Sequence, residues 1–256
     1  MNNLNQEVRE FWNRVAADWD IQVAENEDSN RILNSDPILR KFIGEIQNLT
    51  VLDAGCGTGY LSRQLATQGA VVTGIDLSEN MIAIAQEKSA QRNLTINFYV
   101  DDCSKLEKLS DQYFDLIVAN YVLMDVPDLE GAMNAFNRVL KVNGSAVLIF
   151  SHPCFPQGKA KTSENNEEIQ YNWNFSYFER QKCIGPPWGH FTSEFISFHR
   201  PLSDYWKAFK SARFTIIDFE EPRLTEERFS LAENERQLKN GQTRPYSVVF
   251  KLQKFK

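Results

Sequence analysis

VLDAGCGTGY, residues 51–60, runs from a short, mostly apolar segment into three glycines on alternate positions, Gly55, Gly57 and Gly59. Glycines at a strand exit allow a tight bend and let a ligand approach bare backbone. Dinucleotides, nucleoside triphosphates and other adenosine-containing cofactors all use such a bend. The dinucleotide fingerprint G-x-G-x-x-G wants its third glycine where this chain has Tyr60. A P-loop needs Gly-Lys-Ser/Thr, which does not follow. An adenosine-containing cofactor is the leading reading. An NAD-linked oxidoreductase stays open as the alternative and requires the loop to seat a pyrophosphate despite Tyr60.

Outward from the loop, apolar runs alternate with helical patterns, as in βαβ units stacked around a parallel sheet. Thr50–Ala54, Val71–Asp76, Ile96–Val100, Phe114–Asn120 and Ser145–Phe150 are predicted as five buried strands. Between them, Leu61 and Leu65 share a helix face and Gly69 offers a left-handed cap. Ser78 is predicted to N-cap a helix burying Met81, Ile84 and Ala85. Asp128 is predicted to cap another, carrying Leu129, Met133, Phe136 and Leu140, which Asn143-Gly144 would stop. Asp76 follows Gly59 by the length of a helix, a turn and a strand. Its carboxylate therefore reaches the carboxyl edge of the sheet beside the glycines, where it can accept hydrogen bonds from both ribose hydroxyls.

Past Phe150 the aromatic runs YNWNFSYFER and FTSEFISFHRP suggest a hairpin over the sheet. Ser203 is expected to open a last helix carrying Tyr205, Trp206 and Phe209. Phe214–Phe219 and Tyr246–Leu252 then supply two final strands. Residues 220–245 are highly charged and read as an exposed helix or loop. The expected architecture is an α/β, Rossmann-like, mostly parallel seven-stranded sheet with helices on both faces and an aromatic-rich insertion after strand 5. One domain is expected, divided into an N-terminal helical cap (1–45), a cofactor-binding core (46–150), a substrate-side lid (151–200) and a closing helix and strands (201–256).

Composition narrows the function. The 256 residues, 42% of them hydrophobic, suffice for one large domain. A net charge of -6 without a Lys/Arg run argues against nucleic acid as the main partner. No apolar stretch approaches the length of a membrane span, and MNNLNQEVRE lacks a signal-peptide pattern, so no membrane role and a cytoplasmic location are expected. Cys56, Cys103, Cys154 and Cys183 are scattered without a CxxC pair, which favours free thiols and no metal site.

VLDAGCGTGYLS, VVTGIDLSENMI, YVDDCSKL and FDLIVANYVLMDVPD together resemble the class I S-adenosylmethionine-dependent methyltransferases in their small-molecule branch. FWNRVAADWD is similar to that family's N-terminal cofactor-covering helix, and FHRPLSDYWKAF with FTIIDFEEP to its closing elements. The resemblance implies that Gly55, Gly57 and Gly59 pass the methionine part of S-adenosylmethionine and that Asp53 orients its amino group. It further implies that Asp76 holds the ribose, Leu77 and Met81 flank the adenine, and Asp102 with Cys103 meets the adenine amine. Asn120 and Tyr121 would floor the sulfonium site, with Trp19 beside the cofactor. Several of these signals have a plainer reading: the glycines as a tight turn only, Asp102 with its neighbour Asp101 as a solvated loop pair, Tyr121 and Trp19 as packing.

Methyl transfer to oxygen or nitrogen of a small, apolar or aromatic metabolite by in-line displacement is the expected activity, with carbon acceptors possible. A base for the acceptor proton points to histidine. His152, directly after strand five, ranks first, with a local hydrogen bond fixing its turn as the plainer role. His199, at the mouth of the final helix, follows; Arg200 beside it could brace a carboxylate, and His190 reads as loop. Two departures matter. Many relatives carry histidine soon after strand four, where this chain has Met124-Asp125-Val126; Asp125 is either a substrate contact or a cap. The Asn/Asp-Pro-Pro-aromatic stretch of nucleobase-amine methylases is also absent. A monomer or homodimer is expected, and a non-catalytic S-adenosylmethionine sensor is the remaining alternative; an apolar pocket left open beside the methyl position would favour the enzyme.

Overall fold

The computed structural model describes residues 2–23, 31–155, 160–162, 169–232 and 234–255. Its main sheet contains β1 (Thr50–Ala54), β2 (Val71–Asp76), β3 (Asn97–Val100), β4 (Phe114–Asn120), β5 (Leu140–Ser151), β10 (Phe214–Glu220) and β11 (Ser247–Lys254). The order is β10-β11-β5-β4-β1-β2-β3, parallel from β5 to β3, with β11 antiparallel to both neighbours. The chain leaves β1 toward β2 and β3 on one side and returns to β4 and β5 on the other. The reversal opens a crevice at the carboxyl ends of β1 and β4.

Strict alternation along the central strands builds two cores. Leu52, Ala54, Ile117, Ala119, Leu148 and Phe150 face α6 (Leu129–Val139) and α7 (Leu202–Ser211). Val51, Leu116, Val118, Val147 and Ile149 face α3 (Asp36–Ile43) and α4 (Tyr60–Thr67). Both sides of these strands are covered, which is why they are apolar throughout.

The local signals act as expected at several points. Ser78 Oγ accepts the Met81 amide at 3.1 Å to cap α5 (Glu79–Gln91), and Asp128 accepts the Gly131 amide at 2.9 Å to cap α6. Other expectations are corrected. On α5, Ile82 is buried with Met81 and Ala85, whereas Ile84 is only half-buried. Asn143-Gly144 does not stop α6, which ends at Val139; β5 begins at Leu140, and its register shifts opposite Phe114–Leu116 before parallel pairing resumes. Pro201, rather than Ser203, precedes α7, and Trp206 on it is exposed. The charged segment after β10 forms a 3₁₀ turn (Glu226–Leu231) and α8 (Glu235–Thr243), yet buries Leu224 and Asn240.

The lid pairs differently from the expected hairpin. β8 (Gln181–Gly185) pairs with β9 (Phe195–His199), and most of YNWNFSYFER is irregular; β6 (Ala160–Thr162) pairs with β7 (Ile169–Tyr171). The β8–β9 hairpin meets α1 (Asn2–Arg14) and α2 (Ala16–Gln22) through a cluster of Phe11, Val15 and Phe191, flanked by Trp12, Trp19 and Phe195. Thr192 donates its amide and hydroxyl to Asp18 at 2.8 and 2.6 Å, and Lys182 pairs with Glu7. Helices α1 and α2 and the β8–β9 hairpin therefore form one roof over the crevice.

Candidate active site

Under that roof lies a cavity of about 780 Å³. One end is shaped by the bend after β1, where the Gly55 and Cys56 amides both donate to the Ile75 carbonyl at 2.8 Å. Gly57 has φ +52°, and a Cβ there would lie 2.9 Å from Trp19 Nε1, so the cap tryptophan rests on bare backbone. Gly59 (φ +76°) serves packing instead: a Cβ would stand 3.0 Å from Ala85 Cβ and Arg63 Nη1, and the residue does not line the cavity.

Asp76 lines the cavity at the tip of β2. Its Oδ2 accepts the Gly57 amide and its Oδ1 the Ser78 amide, both at 2.9 Å, so the carboxylate orients loop and helix together. Burial pushes its pKa up to about 6 against the opposing pull of those amides. Asp53 lies elsewhere. It shares the strand face of Val51, toward α4, where Ser62 donates to it at 2.5 Å, and it is absent from the cavity wall. Burial outweighs that hydrogen bond and raises Asp53 to about 6 as well.

Leu77, Met81, Cys103 and Asp102 continue the wall. Asp102 Oδ2 accepts from Asn5 of α1 at 2.6 Å, while Oδ1 accepts from the Ser104 amide and hydroxyl at 2.8 Å. Asp101 is buried rather than solvated: it accepts the Asp102 and Lys108 amides and shapes the loop after β3.

Between the two ends of the cavity stand Asn120 and Tyr121. Asn120 Oδ1 is buried without a hydrogen-bond partner. Tyr121 takes φ +58° and donates its hydroxyl to Ser247 at 3.0 Å.

The two leading histidines both line the cavity but differ in what they offer. The Cys154 amide donates to His152 Nδ1 at 3.1 Å, so the ring proton sits on Nε2, 2.7 Å from Glu221 Oε1. Both nitrogens are thus engaged, and burial lowers the pKa of the ring despite Glu221. His199 Nε2 lies 2.8 Å from the Tyr177 carbonyl and must donate to it, which leaves the lone pair on Nδ1. That nitrogen has no partner among the described residues. Trp173, Phe175 and Tyr177 surround the ring with centroids 5.1 to 5.6 Å away. His190 lies in an irregular stretch, its amide donating to Gln22 at 3.2 Å.

Arg200 does not brace a carboxylate. It is buried and donates to the carbonyls of Leu123, Val126 and Pro127, and the Phe198 amide donates to Met124 O at 2.7 Å. The segment after β4 is thereby clamped to β9. Asp125 in this segment is not a helix cap; its amide donates to Val122 O, and its side chain lines the cavity.

Sequence reading missed Arg31, which is buried in the cavity wall with its guanidinium 4.6 Å over the Tyr60 ring, and Asn5 and Trp188. These reach the site through tertiary packing and carry no spacing signal. Among the described residues no group of His, Cys, Asp or Glu is arranged to hold a metal ion.

Residues 45–186, more than half of the chain, match the methyltransferase-domain family. The chain belongs to that family. It is a class I S-adenosylmethionine-dependent methyltransferase in fold and cofactor, and the oxidoreductase alternative falls. The ubiquinone biosynthesis O-methyltransferase of Coxiella burnetii is 33% identical over 152 residues, 58% of this methyltransferase and 62% of the relative. That of Hydrogenovibrio crunogenus is 29% identical over 56% of each chain. The chain thus matches between half and two-thirds of the length of these curated relatives. Among solved structures, an S-adenosylmethionine-dependent methyltransferase from Mesorhizobium loti superposes with a TM-score of 0.69 at 24% identity, over 85% of this chain and 96% of that one.

The residues present fit this cofactor. The uncommitted Asn120 Oδ1 is an acceptor for its ammonium, Asp76 retains lone pairs toward the cavity for ribose hydroxyls, and Leu77 and Met81 give the adenine an apolar bed.

Proposed function

We propose that the chain methylates an oxygen or nitrogen of a small, largely apolar or aromatic metabolite. The carrying observation is that one continuous cavity joins the Asp76–Gly57 end to a chamber walled by lid aromatics. Among the described residues the chamber is open rather than filled by Tyr121, His152 and the lid aromatics, which supports an enzyme over a mere cofactor sensor. When bound, S-adenosylmethionine supplies an electrophilic methyl carbon on a sulfonium.

The chain's own residues do the rest. Gly57, Asp76, Asn120 and Asp102 hold the cofactor, with Gly55 and Trp19 against it. Asp53 acts indirectly by fixing α4 through Ser62. Trp173, Phe175 and Phe198 position the acceptor and exclude water, which favours in-line attack. His199 Nδ1 takes the proton from the acceptor hydroxyl or ammonium. His152 shapes the chamber and holds the 152–154 turn. The four described thiols are free, which supports a cytoplasmic setting, and no described helix is long and apolar enough to cross a membrane. The acidic balance supports a small-molecule acceptor over nucleic acid, and we propose that cap, core, lid and closing elements work as one unit, as monomer or homodimer.

Thermal shift with S-adenosylhomocysteine and with NAD tests the cofactor, and labelled methyl transfer into a metabolite extract tests the reaction. Stabilisation by S-adenosylhomocysteine together with a labelled small product is expected. Stabilisation by NAD alone, or cofactor binding with no labelled product, overturns the proposal.

A further inference from the structure

The segment after β4 holds a buried group to which the fold gives no hydrogen-bond partner at Oδ1. Asp125 is 8% exposed, lines the cavity, and its Oδ1 is buried with no hydrogen-bond partner. Arg200, whose charge acts on Asp125, gives its hydrogen bonds to the carbonyls of Leu123, Val126 and Pro127, and no ion pair reaches Asp125 among the described residues. A buried carboxyl oxygen without a donor costs stability, because its lost hydration is not replaced. Arg200 and the Phe198 amide fix the backbone on either side, which keeps Asp125 against the cavity it lines. A ligand in that cavity can supply the missing donor.

The surroundings select the kind of donor. The same cavity presents Trp173, Phe175, Trp188 and Phe198, whose ring faces attract positive charge; among the described residues no lysine lines it, and its arginines are Arg31, set over Tyr60, and the carbonyl-bound Arg200. A carboxylate in a cavity that aromatic rings also line suits an ammonium better than a neutral hydroxyl, because the charged hydrogen bond is stronger where water is excluded.

We propose that Asp125 anchors a basic nitrogen of the methyl acceptor, so that the acceptor class is an aromatic or arylalkyl amine. This rests on the methyltransferase reading of the cavity. Burial holds Asp125 well above the usual carboxylate range in the free protein, and an arriving ammonium favours its ionised form. The anchored nitrogen need not be the one methylated.

The test is calorimetric titration of the S-adenosylhomocysteine-saturated protein with 2-phenylethylamine, 2-phenylethanol and phenylacetate, repeated on Asp125→Asn. The expected result is that the amine binds at least tenfold tighter than the alcohol and the carboxylate, and that D125N loses this preference while its affinity for S-adenosylhomocysteine stays within twofold. Absent amine binding, equal binding of the alcohol, tighter binding of phenylacetate, or an amine preference that survives in D125N overturns the anchor. A large loss of S-adenosylhomocysteine affinity in D125N also overturns it, by assigning Asp125 to the cofactor. Failure of the wild-type protein to bind S-adenosylhomocysteine instead sinks the underlying methyltransferase reading, and the amine series on the unliganded protein still judges Asp125.

Discussion

The backbone amide of Gly57 donates to Asp76 Oδ2 across 2.9 Å, joining the bend after β1 to the tip of β2. Removing the carboxylate therefore loses both the ribose acceptor and the tie that shapes the glycine bend. Asp76→Ala is expected to weaken S-adenosylhomocysteine binding by at least a hundredfold in calorimetry. D76N, which keeps one carbonyl-type acceptor, is expected to lose less. Unchanged affinity in D76A would place the cofactor elsewhere.

Gly57 offers a second handle on the same joint. Gly57→Ala puts a Cβ 2.9 Å from Trp19 Nε1 at a left-handed φ, a strain of about 1–3 kcal/mol. A lowered melting temperature and a red-shifted, more quenchable Trp19 fluorescence are expected, measured against W19F. An unshifted melting curve with full cofactor affinity would show that the cap does not rest on this residue.

Acidity should weaken cofactor binding in a defined window. Asp76 in the free protein titrates at about 6, and its ionised form is the better acceptor for ribose hydroxyls. Affinity for S-adenosylhomocysteine is expected to be flat above pH 7 and to fall up to about tenfold per unit below pH 6. Stability of the free protein runs the other way. Asp53 and Asp76 both rise from 3.8 to about 6, so the folded chain binds protons more tightly than the unfolded one. Their contribution to stability is greatest below about pH 4 and is lost as the pH rises through 6. Denaturant unfolding at pH 5 and pH 7, with and without ligand, checks both signs.

The histidines should separate in kinetics. His199→Ala is expected to lower kcat by about 10²–10⁴ with cofactor affinity unchanged, since it removes the one ring nitrogen held ready for a proton. His152→Ala is expected to cost about 1–3 kcal/mol of stability by stranding the Cys154 amide and the Glu221 contact, with a smaller loss of kcat. Equal kcat losses at equal stability would return His152 to the role of base.

Much of the sheet was legible because parallel strands buried on both faces must be short apolar runs. Thr50–Ala54, Val71–Asp76 and Phe114–Asn120 end where the composition says. Asp76 and Asp102 were legible because strand tips in this topology converge. The start of β5 was obscured, since a register shift lets strand pairing begin before Asn143-Gly144. The lid was misread because aromatic runs carry no pairing information: QKCIG, not YNWNFSYFER, pairs with FISFH. Asp53 illustrates the limit of position alone, as its strand face turns the carboxylate to Ser62. Arg31 and Asn5 arrive from distant sequence, and nothing local foretells them.

Helix α1 holds Asp102 through Asn5 and grips the β8–β9 hairpin through Glu7 and Phe11. One helix thus braces both walls of the cavity, so a substitution on α1 that loosens its seat is felt at Asp102 and at the β8–β9 hairpin alike.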